Sequence, residues 1–369
     1  MKKKIWLVAV IIFFIAYFFL AARQIPRQMV LVPRWLSSLE SGETARMDGA
    51  VDTEMETARP FPFSLGSRFG FINQEDGRFS INRTAKSSVS LSGKHWAEYE
   101  AEPSRVTIYD NAGETYAVID NPRGYPFFLD EGGGQGRIFI VGSEQNSISE
   151  IDVSGAVSWS YEFAAQITCV DAARGLLLAG ALDGSIVIID SAGRKVFSFE
   201  PGGSRYPVIL GCAISGDGTR LGIISGVDRQ RFLYLEHFGA SSGDYKVVFH
   251  EFLSDGFRRP VFISFVENDR WVIFERTGGL GLYEAGSRQT AKVDLDGEIN
   301  AIDQSGGQGL IFTIVSGPDG MKELAGIMLP DRLMIAAPFK SDEVFLGRAD
   351  SRLLIGGGRT IISFELERK

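Results

Sequence analysis

Three stretches of the sequence carry side chains suited to gripping an anion. NPRGYPFFL (121–129) holds Arg123 and Tyr125, GGSRYPVILG (202–211) holds Arg205 and Tyr206, and DGFRRPVFI (255–263) holds Arg258 and Arg259. In each, arginine with a bulky neighbour stands just ahead of a proline that opens an apolar run. Arg229 and Arg276 occupy nearby polar loops. A guanidinium is a planar fork of donors that matches a carboxylate or phosphate, and an aromatic ring adds rigid contact area. That chemistry is recognition of a peptide, an acidic segment or a glycan. The plainer reading is turn chemistry: proline loses no ladder bond at a strand's first position. The arginines would then pair locally with acids such as Glu200, Asp228 and Asp255.

Other residues offer bond-breaking chemistry on weaker grounds. Asp130, Asp171, Asp217, Asp269, Asp303 and Asp350 recur after apolar runs. Two carboxylates about 5–10 Å apart across a channel can do glycosidase chemistry, but Asp also caps its own turn. The turn role is the simpler reading. Cys169 and Cys212 sit at equivalent positions, each six residues before a glycine. Two small buried residues are expected there rather than a bridge. No CxxC occurs, and His95, His237 and His250 are isolated, so no zinc site is expected.

The elements that must position these residues are short strands. VTIYDNAGETYAV (106–118), ISEIDVSGAVSWS (148–160) and IVIIDSAGRKVFS (186–198) are each a strand, a D-x-x-G turn and another strand. Asp110, Asp152 and Asp190 are 42 and then 38 residues apart. A repeat of about 40–45 residues with four strands per unit predicts propeller blades. Past residue 68 we read 29 strands, against 28 for seven four-stranded blades. The expected fold is therefore all-β: a β-propeller over 67–369, of seven four-stranded blades, with six or eight as the alternatives. An N-terminal strand, drawn from 69–83, would pair with the last unit and close the ring. Loops between blades, and those between second and third strands, emerge on one face. This would bring Arg123, Tyr125, Arg205, Tyr206, Arg229, Arg258, Arg259 and Arg276 to a shared rim.

The repeats resemble the quinoprotein-like and WD-repeat propeller superfamily. The likeness is greatest at EIDVSGAVSWSYEF (150–163), where Asp152, Gly155 and Trp159 match D-x-x-G-x-x-x-W. No Trp-Asp dipeptide ends a blade, no Gly-His opens one, and there are no adjacent cysteines. The resemblance therefore implies the exported, non-catalytic type of propeller, a binding platform without cofactor.

Charge and hydropathy bound the setting. Residues 1–35 carry +6, and the remainder has 46 acids against 32 bases, or −14. So acidic a body excludes general nucleic-acid binding. Ile5 to Ala22 is an apolar run of 18 residues after Lys2, Lys3 and Lys4. It predicts one membrane-spanning signal-anchor helix with a four-residue cytoplasmic tail, a cleavable signal peptide being the competing reading. Residues 23–66 read as an acidic flexible spacer. The resulting expectation is a single-pass protein of the cytoplasmic (inner) membrane, its propeller outside and docking a protein or acidic ligand of the envelope. The alternative is an envelope enzyme acting on glycans or a small organic substrate at the central channel.

Overall fold

Short β-favouring runs joined by tight turns pair most readily with their sequence neighbours, and this chain does so throughout. The computed structural model describes residues 29–47, 60–131, 136–239, 243–254, 256–303, 305 and 307–368. Its 32 strands form eight antiparallel sheets; seven are meanders of consecutive strands, and the eighth joins the first and last described strands. Blades two to eight begin at the channel with Ser88–Leu91, Gly124–Leu129, Ile167–Ala173, Ile209–Ile214, Ile263–Val266, Glu298–Ile302 and Val344–Ala349. Eight apolar clusters lie one at each junction between neighbouring blades. A strand has two faces, so alternate residues serve alternate junctions. In Ile186–Ile189, Ile186 and Ile188 face blade five while Val187 and Ile189 face blade three.

The D-x-x-G segments are the turns between third and fourth strands. Asp110, Asp152 and Asp190 each accept backbone N–H bonds from the residues two and four ahead, at 2.8–3.0 Å. The glycine of the motif also docks blades. A methyl group on Gly193 would lie 2.6 Å from Trp159 Cβ in the blade before, so only glycine fits there, at φ 77°.

Two expectations about the ring are corrected. There are eight blades, not seven, and the closing strand is not in 69–83. Three strands precede Arg68: Met29–Ser38, Thr44–Arg46 and Pro60–Leu65, leaving 29 from there on. Met29–Ser38 pairs antiparallel with Thr360–Arg368 and becomes the fourth strand of blade eight. Thr44–Arg46 adds a fifth. Residues 69–83 belong instead to blade one, Pro60–Leu65, Arg68–Asn73 and Phe79–Thr84. A methyl group on Gly77 would lie 2.6 Å from Trp35, as Gly193 meets Trp159. Among the described residues blade one has three strands and no innermost one, so Pro60 and Pro62 stand on its channel-side strand, where a missing N–H costs little.

The spacer expectation fails for the described part of 23–66 because MVLVPRWLSS has a side of apolar residues that the acidic stretch after it conceals. Trp35 is 1% exposed, and its Nε1 donates to Gln74 O of blade one at 2.9 Å. A bulge between Pro33 and Trp35 accommodates the proline and aims Arg34 at Glu365 and Glu367. The membrane helix and the single-pass inner-membrane placement are also corrected. The described residues are strands and turns, with no helix long and apolar enough to cross a membrane; Ile5 to Ala22 lie outside them.

Trp35→Ala should destabilise the protein by about 3–5 kcal/mol, as truncation of a buried aromatic does. Urea unfolding checks this; a loss under about 1 kcal/mol would show that the strand is not part of the core.

Candidate functional site

Three loops meet on the upper rim between blades four and six. The loop after blade four carries Arg205 and Tyr206, the turn inside blade five carries Asp228 and Arg229, and the loop after blade five carries Arg258 and Arg259. Their backbones join directly: Gly226 N donates to Val208 O at 2.8 Å and Val227 N to Tyr206 O at 3.1 Å. Gln230, buried, links the second loop to the third. Its Nε2 donates to Gly226 O (3.1 Å) and Phe257 O (3.2 Å), while its Oε1 accepts from Phe257 N (3.2 Å). Gln230 carries no mark in the sequence, being a lone amide in a polar loop.

The arginines divide into two kinds. Arg259 makes a two-pronged bond to buried Glu275, at 2.6 and 3.0 Å, and stacks on Phe257. Arg276 pairs with Asp294 and donates to Thr277 O. These two are engaged, with carboxylates other than Glu200, Asp228 and Asp255. Arg205, Arg229 and Arg258 are exposed, with no carboxylate in ion-pair range among the described residues. Asp228 does not neutralise them. It accepts from Ser204 Oγ and from the Arg205 backbone N–H, and the Ser204 bond holds its carboxyl below the ordinary range. Arg231 adds a charge behind the loop, donating to Pro201 O and Gly202 O. Tyr206 is 59% exposed and Phe252, under the Arg229 guanidinium, 46%. Asp255 lies outside the described residues. Arg123 and Tyr125 are on the same face but two junctions away; Tyr125 rests against Tyr99 and Arg123 is exposed.

The aspartates of the lower face are mostly fastenings between blades. Asp130 accepts from Gly93 N, Asp171 from Ile214 N at 2.8 Å, and Asp303 pairs with buried Arg348 at 3.1 Å. Glu131 and Glu267 do the same to Gly175 N and Gly309 N. Asp217 caps its own turn through Ser215 and Thr219. Arg220 reaches Asp269 and its carbonyl, and Asp350 offers only a carbonyl to Arg348. Burial pushes the Asp171 carboxyl up to about 6 against its two backbone N–H donors. Both cysteine thiols are free; Cys212 is in the core between blades four and five, with Cys169 packed against that core. Burial lowers the pKa of His95, which lies between Tyr116 and Phe128. Among the described residues no three His, Cys, Asp or Glu converge to hold a metal.

Arg259→Ala would leave Glu275 buried without its cation and should cost about 2–4 kcal/mol. Arg205→Ala should stay within about 0.5 kcal/mol; urea unfolding of the pair separates structural from available arginine. For Asp171, the folded state holds its proton at a higher pH than the unfolded chain does. Stability therefore falls as pH rises from about 4 to 6. The wild type should lose on the order of 1–3 kcal/mol over that range relative to Asp171→Asn. Parallel pH–stability curves would contradict this.

Solved structures of the same architecture are similar to this chain at low identity. BamB from Moraxella catarrhalis matches with a TM-score of 0.57 and 13% identity, covering 91% of this chain and 100% of that one. A chain of the mitotic checkpoint complex (TM-score 0.55, 13% identity, 88% and 96%) and the computationally designed Ika8 protein (0.59, 12%, 86% and 99%) share the fold as well. An uncharacterized protein of Treponema pallidum (strain Nichols) is 27% identical over 290 residues, 78% of this chain and 74% of its own. A family model described as beta-propeller protein matches residues 1–368, and with eight blades closed by its two terminal strands the chain belongs to that beta-propeller family.

Proposed function

We propose that this propeller is a binding platform whose upper rim, between blades four and six, captures an acidic segment of a partner. The observation that carries this is the trio Arg205, Arg229 and Arg258. All three are exposed on a body rich in acids, without a carboxylate partner among the described residues, and held on loops that backbone bonds and Gln230 fasten together. A free guanidinium beside Tyr206 and Phe252 offers both a fork for carboxylates and a flat surface for their neighbours. Backbone bonds already made by Gly226, Val227, Arg205 and Phe257 lower the cost of organising the loops on binding. Complementary charge would speed encounter and make capture sensitive to salt.

The enzyme alternative draws no support from the lower-face acids, since most already accept backbone or arginine donors between blades. The test uses a fluorescein-labelled oligoglutamate peptide and fluorescence polarisation at low salt. Arg205→Glu, Arg229→Glu and Arg258→Glu combined should weaken binding about a hundredfold, or roughly 3 kcal/mol. Arg123→Glu should change it less than about twofold, since that residue lies outside the patch. No wild-type binding, or equal binding by the triple variant, would end this reading.

A further inference from the structure

A cleft of about 450 Å³ lies on the lower face between blades six and seven. This volume is in the range of small-ligand sites. Its origin is visible in the blade geometry. In blades two to four the turn between third and fourth strands brings Gly113, Gly155 or Gly193 against the last strand of the preceding blade. In blade seven that turn is Leu329, Pro330 and Asp331, with no glycine to dock. Leu329 packs on the junction between the two blades, and the cleft opens beside it. Blade six contributes Glu267, Arg270, Trp271, Glu284, Gln289 and Thr290 to the walls.

The polar groups of the cleft are unevenly occupied. Glu284 is satisfied by Arg270 and Ser287. Glu267 uses Oε1 to accept from Gly309 N at 2.6 Å. Asp331 is exposed at the rim and has no hydrogen bond or ion pair among the described residues; nor do the side chains of Gln289 and Thr290. Three carboxylates against one arginine leave the cleft negative, and the arginine is already bound to one of them. Leu329, Ala291 and the edge of Trp271 supply an apolar wall. An acceptor-lined, negative slot with an apolar side fits an alkyl chain ending in a cation: the stem packs on the wall and the head meets the acids.

We propose that this cleft binds an alkyl cation, a lysine or arginine side chain of a peptide or a polyamine, with Asp331 as its principal acceptor. The site is independent of the upper rim, opposite in charge and on the other face. A partner with both acidic and basic segments could engage the two together.

The experiment is polarisation of a fluorescein-labelled triarginine peptide titrated with the full chain. Asp331→Lys should weaken binding about tenfold, and Thr290→Trp, which fills the cleft from an exposed position, by a similar factor. Asp296→Lys makes the same charge change on the upper side of these blades and should alter binding less than about twofold. The triple glutamate variant of the upper rim should not weaken it, so failure there and failure here are distinguishable. Competition by spermidine would identify the shared alkyl cation as the ligand; binding of triarginine without such competition would assign the site to peptides. No wild-type binding, equal loss in Asp331→Lys and Asp296→Lys, or full binding by Thr290→Trp would each overturn the proposal. Because both diagnostic positions are exposed, unchanged circular dichroism should accompany the losses.

Discussion

The pairing of Met29–Ser38 with Thr360–Arg368 is the constraint on which the rest depends. A ring of sheets is stable only if its first and last members meet, because an open end exposes an apolar junction and an unpaired strand edge. Here the first and last described strands share a single sheet, so closure is a matter of ordinary ladder bonds. Trp35 carries the closure onward, filling the junction with blade one and bonding Gln74. Eight similar wedges then replace a single central core.

The two faces of the ring are finished differently. Below, acids and arginines are spent on holding blades together, as Asp171 does toward Ile214 and Arg348 toward Asp303. Above, an amide and a network of backbone bonds do that work, leaving guanidinium groups available. A charged group that is already satisfied positions its neighbours; one that is not can receive a ligand. The Arg259–Glu275 and Arg205 environments illustrate the difference within one short rim.

Much of the architecture was legible because it is local. The D-x-x-G turns at Asp110, Asp152 and Asp190 announce themselves in a few residues, since side chain and backbone complete the motif without help. Blade one and the closing strand were not legible, for the opposite reason. Met29–Ser38 has its partner more than 300 residues away, its proline argues against a strand, and an acidic stretch follows it. In blade one the turn glycine, Gly77, stands four residues after Asn73 rather than three after an aspartate. The candidate rim was legible as a grouping of residue types. Which arginines remain free was not, because that depends on whether Glu275 or Asp294 comes within reach in the folded ring.

Native-state hydrogen exchange followed by mass spectrometry tests closure most directly. Amides of Met29–Ser38 and Thr360–Arg368 should be protected together and open only with the global unfolding of the ring. Free exchange in Met29–Ser38 while Thr360–Arg368 stays protected would show that the N-terminal segment does not close the propeller.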